Sequence, residues 1–325
     1  MSRISGRWLA GRFLGAIVTL LFVLVFNFFL FRVMGDPTSQ LAKVPGATKE
    51  ETAQLKENLG LDRALPVQFA DYMGDTLTGD LGTGYRSRAP VADEIADALP
   101  WTLLLVGVGT LLATLIGSWM GVEAATSRGK RKDDGLLGFS LFTYASPEYW
   151  IGIILILLFA VAWPIFPAGQ QMTPGVEFAS WWDEVLDVAS HLVLPAAAMT
   201  LMLLGQYFLI MRSSMVDVMT EDFITVKRAT GLSRERVINK HAVPNALLPL
   251  VTISAIQFGA VAGGAVTIET VFSWPGLGEL SYNAINDKDF PVLAGTFLVF
   301  SVGVILANLI ADILYFFLDP RVQTK

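Results

Sequence analysis

Three carboxylates stand inside long apolar runs: Glu148, Glu269 and Asp312. An ionisable side chain in such a setting is costly to bury and is usually kept for a purpose. Each admits two readings. It lines a solute path or gate, or it faces a water-filled cavity or pairs within a helix bundle. Other chemistry is scarce. There are no cysteines, so disulfides and thiolate metal sites are excluded. The two histidines, His191 and His241, lie far apart in the chain, which argues against a histidine metal centre. Neither sits deep in an apolar run, so an intramembrane nucleophile would lack a base facing it. The phosphate-binding pattern G-x-x-x-x-G-K-[ST] is absent, and Gly129-Lys130 stands alone in a basic stretch. The chain is therefore expected not to be an enzyme and to bind no cofactor or metal of its own. Any ATP it depends on is bound by another chain.

The elements that hold these residues read as membrane helices. Only 16% of the 325 residues are charged, against about 25% in a soluble domain. A net charge of −6 argues against a nucleic-acid partner. Six segments have the roughly 20 mostly apolar residues that a span needs: Leu9–Phe31, Thr102–Met120, Leu136–Trp163, Val193–Met211, Leu247–Phe272 and Val292–Leu318. In the first, the apolar stretch that follows Arg3, Arg7 and Arg12 is too long for a signal peptide, so it reads as a retained span. Fifteen lysines and arginines fall in the two termini and in the second–third and fourth–fifth loops. The third–fourth loop has none, and the fifth–sixth loop has only Lys288. By the positive-inside rule both termini are cytoplasmic. The segment between spans one and two is then external, and its length makes its own charges a poor guide. It carries two helix signals, Thr48–Leu59 ending near Gly60 and a second stretch from Pro66 to about Leu77. The expected class is an all-α integral membrane protein with six spans and a small helical external segment, embedded in a lipid bilayer.

In the fifth span, Gly259 and Gly263 are spaced to share one helix face. Small residues at that spacing let helices approach closely. Packing is one use of them, and a flexible gate is the other.

The loop from Glu221 to Pro244 is the most informative stretch. Acids at Glu221 and Asp222 suit the positive end of a helix. Gly231 suits its left-handed end, and Ser233 suits the cap of a second helix. Pro244 is expected to end that second helix at the preceding residue. Phe223, Ile224 and Val226 give the first helix an apolar side.

This loop resembles the signature of binding-protein-dependent ABC importer permeases, in which a glycine, nine residues and a proline-terminated tetrapeptide follow one another. Here Gly231 is followed by nine residues and then His241-Ala242-Val243-Pro244. Asp222-Phe223-Ile224, Arg228-Ala229-Thr230-Gly231 and Asn245-Ala246-Leu247-Leu248-Pro249 resemble the peptide-importing branch. So do Gly35-Asp36-Pro37, Leu59-Gly60-Leu61-Asp62, Gly79-Asp80-Leu81-Gly82, the run from Glu269 to Gly278, and Asp319-Pro320-Arg321. The likeness is strongest to the B-type subunit of oligopeptide and dipeptide importers. Thr225-Val226-Lys227 stands where the family's E-A-A triplet is found, and Thr230 where lysine is common.

The resemblance implies a type I importer fold. It divides the chain into residues 1–95 (tail, first span and external segment), 96–318 (the transmembrane domain, with a coupling loop over 220–244) and a tail from 319. It implies that Asp222, Phe223, Ala229, Gly231 and Leu232 dock on an ATPase subunit. It also implies a second related permease, one or two ATPases carrying ATP and magnesium, and an external substrate-binding protein. The same permease type serves nickel, oligosaccharides or haem. A stand-alone channel or proton-coupled carrier would instead need a dedicated acid–base relay.

Overall fold

The computed structural model describes residues 6–34, 63–250, 253–254 and 265–318. Among them every named element is helical, and the only β feature is an isolated bridge between Thr83 and Pro90. The helices are α1 (Gly6–Met34), α2 (Leu65–Thr78), α3 (Val91–Thr126), α4 (Arg131–Ala145), α5 (Glu148–Ile156) and α6 (Trp181–Met219). They continue with α7 (Asp222–Ala229), α8 (Arg234–Val237), α9 (Val243–Ala246), α10 (Val266–Phe272), α11 (Leu277–Asp287) and α12 (Phe290–Leu318). Four are long and apolar enough to cross a membrane: those at Ala10–Leu30, Val91–Thr126, Trp181–Met219 and Phe290–Ile313. The expected helix at Thr48–Leu59 and most of the expected fifth span lie outside the described residues, as do Gly259 and Gly263.

The third expected span, Leu136–Trp163, needs correction. It is two helices, α4 and α5, bent by 102° at Ser146-Pro147. Counted as one span, the pair makes a fifth. Proline pushes the residue before it out of the helical region, and Ser146 is extended at φ −76°, ψ 137°. A hydropathy run is blind to that break. After α5 the chain widens into a π-turn over Leu157–Ala162.

The other expected boundaries are too short for α3 and α6. These helices have 36 and 39 residues, or about 54 and 58 Å, against a hydrocarbon core of about 30 Å. Pro100 and Pro195 are carried inside them. Both helices therefore overhang the apolar stretch that marks them in the sequence.

α3 and α6 form the centre of the fold. They run parallel, because Gly109 meets Met199, Gly117 meets Tyr207 and Gly121 meets Met211. Gly109, Ala113, Gly117 and Gly121 recur every four residues, so they share one face of α3. A Cβ on Gly117 would lie 2.8 Å from that of Tyr207 and 3.1 Å from the Leu204 carbonyl. One on Gly121 would lie 2.7 Å from the Cβ of Met211 and 2.9 Å from the Arg212 nitrogen. The backbones touch because no side chain intervenes. On another face of α6, Gly205 packs against Ser140 and Tyr144 of α4. Tyr207, Phe208, Met211 and Met215 are fully buried.

α1 and α12 pair antiparallel beside this centre. Asn27 donates to the Ala294 carbonyl at 3.0 Å near one end, and Arg12 meets Asp312 at 2.9 Å near the other. α2 docks on the Asn27 end, where Phe28 lies edge-on to Phe69 at 5.3 Å and Asn27 reaches the Tyr72 hydroxyl. Gly295 of α12 packs on Val91 and Ile95 at the start of α3. The start of α1 and the ends of α3, α6 and α12 thus share one end of the molecule. α7 and α8 follow α6 at that end, here called the basic end. The starts of α3 and α12, with α2 and α11, occupy the opposite end.

Replacing Gly121 by leucine is expected to destabilise the purified protein by about 1–3 kcal/mol through overpacking. Gly107→Leu is the control, since nothing lies within 4 Å of a Cβ there. Equal thermal midpoints for the two variants would show that the seam does not hold the helices together.

Candidate functional site

The segment from α7 to α9 sits at the basic end. α7 starts after Glu221, which is extended at φ −68°, ψ 148°, and Asp222 lies in its first turn. The helix ends where Gly231 takes φ +81°, a conformation that costs any residue with a Cβ. The Ser233 hydroxyl accepts from the Arg236 N–H at 3.4 Å and caps α8. These starts and stops follow the signals in the sequence. Pro244 does not act as expected. Val243 before it stays helical at φ −56°, ψ −48°, and the helix runs on through α9. The turn over Ile238–Ala242 is a π-turn, in which the Val243 N–H reaches back five residues to the Ile238 carbonyl. The wider turn makes room for the ring, and Pro244 then stands in the first turn of α9.

α7 has two unlike faces. Ile224 is fully buried in the core that includes Met215, Val237 and Ala242. Asp222 and Ala229 are exposed on the opposite side, and Phe223, 38% exposed, flanks them. Gly231 is exposed, and Leu232 packs partly against the core. The expectation of one apolar side thus divides in two: Ile224 anchors, while Phe223 points out. Val226 completes the outer face at 59% exposure. It was not among the expected docking residues, although its spacing from Asp222 and Ala229 places it with them.

An ion pair braces the helices around this segment, and one cap ties the segment to α3. Asp133 of α4, buried, accepts two bonds from the Arg212 guanidinium of α6, at 2.8 Å each. It also accepts from the Gly129 N–H at 3.2 Å. Arg234 donates to the Thr126 carbonyl at the end of α3 at 2.8 Å.

The expected path residues are placed elsewhere. Glu269, on α10, is fully buried at the opposite end, and the structure gives it the partners that the sequence could not name. It accepts from the Thr102 hydroxyl at 2.7 Å, the Gly278 N–H at 2.6 Å and the Glu279 N–H at 3.1 Å. The Leu277 N–H donates to the same Thr102 oxygen at 2.7 Å. Three amides at the start of α11, which would otherwise lack partners, are capped by α3 and α10. Gly276 lies so close that a Cβ there would strike the Glu269 carboxyl. Beside this cap, the Trp274 indole donates to the Trp101 carbonyl at 2.9 Å. Arg86 pairs with Asp287 at the far end of α11, and the Arg86 N–H donates to Asp289 at 3.0 Å. Glu279 is partly buried, which raises its carboxyl above the ordinary range.

Glu148 opens α5 just after the bend, half-buried, where the helix dipole favours an acid. Asp312 pairs with Arg12 and so joins α12 to α1. The structure does not bring Glu148, Glu269 and Asp312 together. Thr102 and Thr126 are about 36 Å apart along α3, so the Glu269 cap and the α7 segment mark opposite ends.

Comparison with known proteins agrees with this architecture. Residues 113–324 match the binding-protein-dependent transport system inner membrane component, and residues 6–106 match the N-terminal component of such systems. The chain belongs to that family. It is a multi-pass membrane protein and a transport component, not a catalytic subunit. It is 36% identical over 313 residues to the dipeptide transport system permease protein DppB of Escherichia coli, covering 91% of this chain and 92% of that protein. It is 35% identical to the oligopeptide transport system permease protein AppB of Bacillus subtilis, covering 96% and 98%. It is 36% identical to the glutathione transport system permease protein GsiC of Salmonella typhimurium, covering 97% and 98%.

Thr102→Val removes a hydroxyl that both donates to Glu269 and accepts from Leu277. The expected cost is about 1–3 kcal/mol. Amide exchange is expected to speed up over Leu277–Asp287 and to stay unchanged over Asp222–Ala229. Equal acceleration at both ends would rule out a local cap.

Proposed function

We propose that this chain is one of two permease subunits of an ATP-driven importer of short peptides. It crosses the cell membrane six times, with both termini and the basic end in the cytoplasm. Its spans form one wall of a solute path, and a second, related permease forms the other. The observation that carries this reading is the two-faced α7 at the basic end. Ile224 fixes the helix to the bundle, while Asp222, Phe223, Val226 and Ala229 are offered outward. Such a face suits the cleft of a cytoplasmic ATPase. Gly231 then sets the angle at which the chain leaves the docked helix. ATP and magnesium are held on one or two such ATPase chains, and this chain binds neither.

The orientation is supported by the shared end of α1, α3, α6 and α12, which gathers Arg12 and the Arg128–Lys132 cluster with α7. At the outer end, α2, α11 and the Glu269 cap present a braced surface for an external substrate-binding protein. Glu269, Gly259, Gly263, Glu148 and Asp312 remain the candidates for the path or its gate. For Glu269 that role would act through the outer loop, which its carboxyl holds in place. The peptide substrate class rests on the relatives, whose names specify dipeptides, oligopeptides and glutathione.

Reconstitution with the companion chains tests this directly. ATP hydrolysis is expected to rise when binding protein and short peptides are added together. A rise with nickel alone would overturn the peptide assignment. Proline cannot reach φ +81°, so Gly231→Pro is expected to lower uptake about tenfold or more without changing the amount of protein in the membrane. Normal uptake by this variant would remove α7 from the coupling role.

A further inference from the structure

The functional reading above has force entering at α7, and this inference rests on that reading. The chain alone does not say which spans receive the force, since α7 lies between two of them in sequence. On its upstream side, Ile224 is buried with Met215 of α6. Ten residues before α7, Arg212 grips Asp133 with both arms of its guanidinium. A forked pair fixes orientation as well as distance. Asp133 is held in turn by the Gly129 N–H in the turn that follows α3. On its other side, Arg234 caps the Thr126 carbonyl, one of the acceptors that the end of α3 leaves without a helical partner. These bonds therefore lead back to α3, α4 and α6. α3 and α6 are already backbone-to-backbone along the glycine seam. On the downstream side the chain leaves through the π-turn at Ile238–Ala242 and a proline without an N–H, and Ala242, Ala246 and Leu250 are buried in the same core as Met215 of α6.

We infer that Asp133, Arg212 and Arg234 are positioning residues that weld α4, the α3–α6 pair and the α7–α8 segment into one body. A push on the outer face of α7 then moves those two long helices as one body.

The test uses the assembled complex in vesicles and reads peptide uptake per ATP hydrolysed, which is unaffected by the amount of folded protein. Arg212→Lys keeps the charge but loses the fork, and Asp133→Asn loses the charge. Each is expected to lower the ratio about tenfold while ATP hydrolysis continues. The chain has no cysteine of its own, so Thr126→Cys with Arg234→Cys can be bridged by a short bis-maleimide. The bridged complex is expected to transport at least as well as the unbridged one, since the two positions move together. An unchanged ratio in both point variants overturns the weld. So does a bridge that stops uptake in complexes that transport without it. A wild-type complex that takes up no peptide on ATP overturns the functional reading instead, and this inference falls with it.

Discussion

The contact between α3 and α6 is the constraint on which the rest depends. In hydrocarbon, apolar side chains gain little by leaving lipid for one another, so helices associate through close fit and through the few polar bonds between them. The seam at Gly109, Ala113, Gly117 and Gly121 supplies that fit over about 18 Å of helix. It also fixes the register. Once Gly121 sits on Met211 and the Arg212 nitrogen, the Arg212 side chain reaches Asp133 beyond the end of α3. The polar clamp at the basic end is thus a product of the apolar seam above it.

The two ends of the molecule are finished by different means. At the basic end, guanidinium groups close helix ends and bury a carboxylate. At the opposite end, a carboxyl and a hydroxyl from distant helices serve as a cap for α11. In both places orphan backbone groups are satisfied by side chains from elsewhere in the chain. Each end is therefore rigid only while its neighbours are in place.

Much of this was legible in the sequence. Long apolar runs gave the membrane helices, and Asp222, Gly231 and Ser233 gave the limits of α7 and α8, because caps and left-handed ends are local chemistry. The bend at Pro147 was written in the sequence too, but a hydropathy run averages over it. Pro244 misled because its usual effect on the preceding residue is relieved by a π-turn, which has no sequence signature of its own. The partners of Glu269 and Arg212 were out of reach for another reason. Thr102 is 167 residues from Glu269 and Asp133 is 79 from Arg212, and nothing local indicates which distant group a buried charge will meet. The four-residue spacing in α3 was visible, but the helix it faces was not.

The cap on α11 bears on how the chain is made. Its Leu277, Gly278 and Glu279 amides find their acceptors on Thr102 and Glu269. Thr102 is synthesised long before its partners and must keep its place open until they arrive. α11 can therefore close only after α3 and α10 have met within the bilayer. A chain whose spans are misassembled shows an unfinished helix at that end, so the state of the buried bundle can be read from the surface there.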